Sequence, residues 1–205
     1  RYRTNRTTVL YDAHGSEIGS FALERRIVVG TNDIPPVLRH AVISIEDKKF
    51  ESHWGVNLFR VAGAAYRDLT EDRRSQGAST LTMQLARGFF LTPDKLFKRK
   101  LREIMITFQL EARFNKQQIF EMYANEINLG QRGSYAINGF GEAAQTYFGK
   151  NLRQLDTAEC ALLAGMIQSP NRLNPYRHPA RAMERRNVVL DSMVETGAIT
   201  ASEAS

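Results

Sequence analysis

The segment 46–55 brings a carboxylate, an aromatic ring and an imidazole close together in the chain. Glu46 and Asp47 are adjacent, and Phe50 and His53 follow Glu46 at the spacing of one helix face. If a helix continues through this segment, these groups lie side by side. An aromatic neighbour would desolvate Glu46 and raise its pKa towards the range of a general base. Taken alone, a Glu-Asp pair is more typical of an exposed helix end.

A second set of polar side chains follows a Gly-Ala-Ser-Thr sequence at positions 77–80. The Ser79-Thr80 pair predicts the start of a helix. Thr80, Gln84 and Arg87 would then share one face, at a helix N-terminus that itself favours anions. The pattern is compatible with a phosphate or sugar site, but it is equally the ordinary sequence of a capped helix.

A third group consists of cations with a single carboxylate. Arg99 and Glu103 stand four residues apart, and Lys100 lies between them. As an exposed ion pair, Arg99 and Glu103 would contribute only ~0.3 to 0.5 kcal/mol. In a site, Arg99 and Lys100 would hold a pyrophosphate leaving group, with Glu103 orienting them or holding a divalent ion.

A fourth polar pair, Glu121 and Asn125, lies within a predicted helix that begins at Asn115. Its apolar neighbours Ile119 and Tyr123 are more typical of a core than of a ligand site. We therefore expect Glu121 and Asn125 to brace a cleft from behind.

The elements that must position these groups are mainly helical. The first thirty residues predict a hairpin of short strands, at 8–11 and 26–29, around an Ala13-His14-Gly15 turn. From Asp33 onward helical signals dominate. Helices are predicted after Pro35-Pro36, from Ser79, from Thr92-Pro93 with Phe97, Leu101, Ile104 and Phe108 on one face, from Asn115, and over residues 142–147, 156–168 and 180–195.

Composition places the chain among ordinary folded domains. It has 205 residues, and 28 Lys and Arg against 22 Asp and Glu give a net charge of +6. A basic balance favours an anionic partner, whether nucleic acid, phospholipid or a pyrophosphate-bearing substrate. The single cysteine, Cys160, stands in an apolar run and is predicted to be a buried structural thiol. No apolar stretch approaches the ~18 residues that cross a bilayer, and the abrupt start and end suggest an excised piece whose anchor was removed.

All four segments occur together and in order, and this order resembles the peptidoglycan glycosyltransferases of family 51. That family occurs in class A penicillin-binding proteins and in monofunctional cell-wall transglycosylases. The first segment matches E-D-x-x-F-x-x-H-x-G, and the third matches R-K-x-x-E. The second matches G-x-S-T-L-T-Q-Q-L except at Met83, and an arginine-rich segment at 185–190 also resembles the family. The fourth matches through Ile119, Glu121, Tyr123, Asn125 and Gly130.

The resemblance implies a mainly α, lysozyme-like helical domain with head and jaw lobes and a small N-terminal β element. Residues 1–205 would form one glycosyltransferase domain, with a β-containing segment at 1–32 and a helical catalytic region at 33–205. The implied enzyme is an inverting glycosyltransferase that polymerises lipid II into β-1,4-linked glycan strands and releases undecaprenyl pyrophosphate. The antibiotic moenomycin is an inhibitor of the family.

The resemblance also implies residue roles. Glu46 would be the general base, and Glu103 the second catalytic carboxylate. A Mg or Mn ion would reach Glu103 through the substrate pyrophosphate, and no organic cofactor is expected. The implied substrate-binding residues are Asp47, Phe50, His53, Ser79, Thr80, Gln84, Arg87, Arg99, Lys100, Glu121 and Asn125.

The expected partners are lipid II, a lipid-linked glycan strand and the bacterial membrane surface, with no nucleic acid. The implied location is the outer face of the cytoplasmic membrane, with an N-terminal anchoring helix and a transpeptidase domain as features of a longer protein. The apolar segment Gly88-Phe89-Phe90-Leu91 could insert at the membrane interface or belong to the core. Two alternatives stay open: a lysozyme-like hydrolase that uses water as acceptor, and a non-catalytic basic module for nucleic acid or anionic lipid.

Overall fold

Helices make up most of the part of the chain that the structure describes, a computed structural model covering residues 8–21, 24–56, 79–89 and 96–204. The α-helices in these ranges are α1 (Pro36–Glu46), α2 (Leu81–Gly88), α3 (Leu96–Arg113), α4 (Lys116–Glu126), α5 (Phe140–Phe148), α6 (Thr157–Met166), α7 (Pro179–Glu195) and α8 (Ala201–Ala204). The strands are β1 (Thr8–Tyr11), β2 (Glu17–Phe21), β3 (Glu24–Arg25), β4 (Asn128–Arg132) and β5 (Tyr135–Asn138).

Helix α1 carries Glu46 as its last residue. It begins at Pro36, just after Pro35. Proline suits this position because a backbone N–H in the first turn of a helix has no partner within the helix. The helix packs on α6 and α7 and buries Leu38 and Val42 completely. The helix does not continue to His53, because the chain turns at Asp47, whose φ of −154° and ψ of 73° are not helical.

The predicted starts of two further helices are confirmed. Thr80 caps α2 by accepting a hydrogen bond from the Met83 backbone N–H at 3.2 Å. Asn115 and Gln118 form a reciprocal capping box at the start of α4. The predicted start at Thr92-Pro93 lies outside the described residues.

Helix α3 presents apolar side chains to solvent. Leu101, Met105 and Phe108 are 53%, 56% and 45% exposed, and they recur at the spacing of one helix face. Ile104, which was predicted to share their face, is half-buried. The side chain of Phe97 lies outside the described residues.

The predicted first strand and the turn at 13–15 are found, but β1 pairs with β2 and not with the predicted second strand at 26–29. A second, three-stranded sheet was not predicted: β5 pairs antiparallel with β4 and parallel with β3. The predicted strand at 26–29 is wrong, since β3 ends at Arg25. The Asn125 side chain, rather than a neighbouring strand, binds both backbone groups of Val29, at 2.9 Å and 2.8 Å.

The core brings together residues of α1, α2, α4, α5, α6 and α7. Phe120, Phe140 and Leu163 are among its largest buried side chains. Cys160 belongs to this core, and burial raises the pKa of its thiol to about 12. The thiol therefore stays protonated, which confirms the prediction of a buried structural cysteine.

Candidate active site

Three side chains from three helices form a hydrogen-bonded chain that ends at Glu46. The side-chain amide of Gln84, on α2, donates to Glu46 Oε2 at 2.8 Å. The phenol of Tyr123, on α4, donates to Gln84 Oε1 at 3.2 Å. Since its carbonyl accepts from Tyr123, the amide must turn its N–H groups towards Glu46. The core thus fixes the orientation of the group that binds the carboxylate.

The pKa of Glu46 lies above the ordinary glutamate value. Burial is the main cause, and the negative charge of Asp47 adds to it, while the Gln84 hydrogen bond and the positive charge of Arg185 act in the opposite direction. A carboxyl with a raised pKa is a stronger proton acceptor once it is ionised. Glu46 therefore has the environment that proton removal from a hydroxyl requires.

Asp47 lies beside Glu46 but has a different task. Its carboxylate is 1% exposed and accepts hydrogen bonds from His53 Nε2 at 2.8 Å and from the Leu81 backbone N–H at 3.1 Å. His53 Nδ1 accepts from the Gly55 N–H, which leaves the proton on Nε2 for Asp47. Asp47 and His53 thereby fasten the turn after α1 to the N-terminus of α2.

Asp47, Phe50 and Thr80, for which substrate contacts are predicted, are buried. Phe50 and Thr80 have no exposed surface. Phe50 packs edge-on against Phe120, and Thr80 caps α2. A side chain without accessible surface cannot touch a substrate in this conformation, so the three residues hold the site in shape.

A cluster of three cations surrounds Glu103, and we call it the Glu103 clamp. Arg87 Nε and Lys100 Nζ each lie 3.2 Å from a Glu103 oxygen, and Arg99 Nε lies 3.7 Å away. Ser79 Oγ accepts hydrogen bonds from both Arg87 and Lys100. The clamp therefore brings together five of the predicted site residues from two sequence segments.

The clamp is cationic overall and open to solvent. Glu103 is 4% exposed, whereas the side chains of Arg87, Arg99 and Lys100 are 50%, 42% and 41% exposed. One buried carboxylate thus orients three cations whose outer sides are free to meet an anion. No group of three His, Cys, Asp or Glu side chains among the described residues could hold a metal ion. With three cations around it, Glu103 does not fit a metal site formed by protein ligands alone.

Glu121 and Asn125 hold the segment before α1 rather than facing the clamp. Glu121 Oε2 accepts from the backbone N–H of Thr31 at 2.9 Å and from the Thr31 hydroxyl. Asn125 binds both backbone groups of Val29. These contacts brace the segment before α1, and the substrate contacts implied for Glu121 and Asn125 stay a prediction.

Sequence reasoning assigned Tyr123 to the core, where it is 1% exposed, but missed its hydroxyl in the Glu46 chain. The signal was available, because a buried tyrosine hydroxyl needs a partner. It also missed Glu111, which accepts from Thr82 at 2.6 Å and pairs with Lys116. Nothing in the spacing of the sequence indicates that these three residues meet.

Comparisons with known proteins agree with this geometry. The family model described as transglycosylase matches residues 14–194. The chain is 41% identical over 202 residues to penicillin-binding protein 1A of Neisseria gonorrhoeae, covering 98% of this chain and 25% of that protein. It is 46% identical over 170 residues to a Cupriavidus necator protein provisionally described as a transglycosylase, covering 83% and 71%. The chain thus spans about a quarter, 25%, of the penicillin-binding relatives.

The fold also resembles a solved structure. The crystal structure at 2.6 Å of penicillin-binding protein 1A from Haemophilus influenzae matches with a TM-score of 0.58 and 27% identity, over 99% of this chain and 20% of that one. This match confirms the mainly helical, lysozyme-like fold. The division at residues 32 and 33 stays a prediction. With the family model and the identities above, these findings show that the chain belongs to the transglycosylase family, the peptidoglycan glycosyltransferases of family 51.

Proposed function

We propose that this chain is a glycosyltransferase domain that polymerises lipid II into β-1,4-linked glycan strands. The observation that carries the proposal is the arrangement of α2. Its Gln84 binds the candidate base Glu46, and its Arg87, one helical turn on, belongs to the Glu103 clamp. One short helix therefore joins a proton acceptor to a site for a departing anion, which are the two groups that glycosyl transfer from a diphosphate requires.

In the proposed reaction, the acceptor is lipid II and the donor is a lipid-linked glycan strand. Glu46 takes the proton from the 4-hydroxyl of the acceptor sugar while that oxygen attacks the anomeric carbon of the donor. The bond from this carbon to the diphosphate breaks, and undecaprenyl pyrophosphate leaves with the electron pair. Attack from the side opposite the leaving group inverts the configuration at the anomeric carbon.

The Glu103 clamp would stabilise the negative charge that develops on the leaving diphosphate. Its cations are already oriented by Glu103, so little reorganisation is needed as the charge appears. Glu103 acts in this scheme as a positioning residue. A divalent cation, Mg or Mn, remains a proposal; it would arrive with the diphosphate, and no step above depends on it.

A lipid-borne substrate requires contact with a membrane surface. We define the α3 stripe as the exposed side chains of Leu101, Met105 and Phe108, which lie on the same helix as Arg99 and Lys100. Apolar side chains beside cations suit an anionic membrane interface. The predicted edge at Phe89 fits this role less well, because Phe89 packs against the core, and residues 90 and 91 lie outside the described residues.

The setting of the domain is also part of the proposal. The penicillin-binding relatives suggest a cell-envelope protein at the outer face of the cytoplasmic membrane. Because this chain matches 25% of their length, a C-terminal transpeptidase domain and an N-terminal anchoring helix are proposed for the full-length protein. Within the described residues, no helix has the length and apolar character needed to span a bilayer.

The proposed function is tested by offering the protein two substrates. Purified lipid II should give glycan polymer and undecaprenyl pyrophosphate, both detectable by chromatography. Finished peptidoglycan should give no short muropeptides, because the reaction uses a sugar hydroxyl instead of water as acceptor. Muropeptide release without polymer would favour the lysozyme-like hydrolase and overturn the proposal.

A further inference from the structure

A groove between the end of α6 and one face of α7 has as many cations and carboxylates as the Glu103 clamp, but its charges are not paired with each other. Its volume is about 530 Å³. Ser169 and Arg172 come from the loop after α6, and Arg181, Glu184 and Arg185 from α7. We call it the arginine groove. It combines three guanidinium groups with one carboxylate.

The cations of the arginine groove lack partners among the described residues. The side chains of Arg172, Arg181 and Arg185 form no ion pair or hydrogen bond there, whereas every cation of the Glu103 clamp is paired. The Nε of Arg185 is fully buried and has no hydrogen-bond partner. A buried N–H without a partner is costly. The rest of the Arg185 side chain is half-buried and lines the groove, so an acceptor group bound there reaches Nε only if the side chain shifts.

The arginine groove lies close to the candidate base. Arg185 packs against Gly165 of α6, and its charge acts on Glu46. Helix α7 packs on α1 and α6, whereas the clamp belongs to α2 and α3. Two cationic sites, built on different helices, are thus linked to Glu46: the clamp through Gln84 and Arg87 of α2, and the groove through the charge of Arg185. If the clamp holds the donor's leaving group, the groove is available to the acceptor.

The state of its carboxylate argues against a second diphosphate in the groove: Glu103 is buried and paired with the cations of the clamp, whereas Glu184 is exposed. Glu184 makes no ion pair in the described residues, and it would repel a multiply charged phosphate. The carboxylates of an acidic peptide suit the three arginines, and an amino group of the same peptide suits Glu184. Resting on the proposed function, we propose that the arginine groove binds the acidic peptide stem of the acceptor disaccharide, with the stem carboxylates on Arg172, Arg181 and Arg185.

The proposal is tested with two forms of lipid II, one with free peptide carboxylates and one with these groups amidated. The wild-type protein should use the free-acid form with a kcat/KM about tenfold higher, the effect of one charge-assisted hydrogen bond. The double variant Arg172→Gln with Arg181→Gln changes two exposed side chains and should fold normally. It should lose this preference through a higher KM for the free-acid form. Its kcat/KM for the amidated form should fall much less, because that form never made the charge-assisted contact.

A matched control is the double variant Arg132→Gln with Arg177→Gln, which removes two exposed charges elsewhere. It should keep the preference for the free-acid form. Equal use of both substrates by the wild-type protein would overturn the proposal. So would an equal loss of activity towards both substrates in the groove variant, which would indicate a diphosphate or a general effect of charge.

Binding of a soluble muramyl pentapeptide, followed by NMR, separates this proposal from the proposed function because it needs no turnover. The Arg185 Nε–H resonance should shift with the free-acid peptide and not with its amidated form. The double groove variant should need about tenfold more peptide to reach half of the full shift. No shift in the wild-type protein would sink the peptide site even if lipid II is polymerised. A specific shift without polymerisation would keep the site and overturn the function.

Discussion

At the scale of single residues, the site depends on a hydrogen-bond donor that is almost completely buried. Tyr123 is 1% exposed, and both burial and the charge of Glu46 raise its pKa well above the ordinary value. The phenol therefore keeps its proton at any pH at which the protein works and always donates to Gln84. Its role is to keep the Gln84 amide turned towards Glu46.

The substitution Tyr123→Phe tests this role. Gln84 would lose its orienting donor, and the Glu46 carboxylate would lose a hydrogen bond that lowers its pKa. We expect the acidic limb of the rate–pH profile to move to higher pH and the rate near neutral pH to fall about tenfold. Tyr176→Phe, at an exposed tyrosine, is the control. An equal loss of rate at every pH would show that Tyr123 only fills the core.

The ionised form of Glu46 should lower the free energy of unfolding. Its pKa is raised in the folded state, so the folded protein holds this proton more tightly than the unfolded chain does. The penalty is absent below the unfolded pKa and complete above the folded one. Glu46→Gln should therefore raise the Tm at pH 7 to 8, with a smaller gain at pH 4, in thermal unfolding followed by circular dichroism. A gain that grows as the pH falls would contradict the raised pKa.

The sequence identifies many of these residues but not their separate tasks. Glu46, Gln84 and Arg87 could be proposed from residue type and spacing. In the structure, Gln84 bonds Glu46, and Arg87 on the same helix bonds Glu103. Asp47 and Phe50 belong to the same motif and turn out to be buried. A sequence motif can contain both residues that are exposed in the site and residues that support them from the core. Burial in the structure distinguishes these two groups.

At the scale of elements, the turn after α1 must dock closely on α3. Gly55 has a φ of +73°, and a Cβ at this position would lie 2.6 Å from Thr107 Cγ2 and 2.7 Å from Glu111 Cγ. The backbone at Gly55 therefore packs so closely against α3 that no side chain fits between them. This contact fixes the turn against α3, and the bond from the Leu81 N–H to Asp47 joins the same turn to the start of α2.

The substitution Gly55→Ala should lower the free energy of unfolding by ~2 to 3 kcal/mol, through backbone strain and overpacking together. Gly15→Ala is a matched control, because its φ is also positive at +82° but nothing lies within 4 Å of the added Cβ. It should cost ~1 kcal/mol. Urea unfolding of both variants measures the difference, and equal losses would mean that the approach of the turn to α3 is not tight.

Local signals explain which elements could be predicted. Caps such as Thr80 and the Asn115 box act within a few residues, and both helix starts were predicted correctly. The strands β4 and β5 depend on pairing with each other and with β3, which lies more than a hundred residues earlier in the chain. Residues 26–29 have strand-like composition, but both backbone groups of Val29 bond the side chain of Asn125, a partner that no local pattern reveals.

At the scale of the whole molecule, charge and the α3 stripe act together. A net charge of +6 attracts the protein to anionic membranes. The apolar stripe would then add contacts that salt does not screen. The charge can be read from the sequence, but the stripe is visible only when α3 is seen in place, since Leu101 and Phe108 resemble core residues in the sequence.

The double substitution Leu101→Ser with Phe108→Ser should reduce flotation with liposomes of anionic phospholipid about tenfold or more, because each apolar side chain contributes ~1.5 kcal/mol or more on burial. Ile27→Ser with Val28→Ser removes two exposed apolar groups elsewhere and is the control. The wild-type protein should also retain part of its binding at high salt. Unchanged flotation of the stripe variant would show that the membrane contact lies on another surface.

The central claim is that Glu46 removes the proton from the attacking sugar hydroxyl. The most direct test is polymerisation of purified lipid II by Glu46→Gln, with Glu195→Gln as a control at an exposed carboxylate that pairs with Lys48. We expect the Glu46 variant to be folded, to bind lipid II and to lose activity by a factor of about 10² to 10⁴, the usual contribution of a general base, while the control polymerises at the wild-type rate. Substantial polymerisation by folded Glu46→Gln protein would contradict the account.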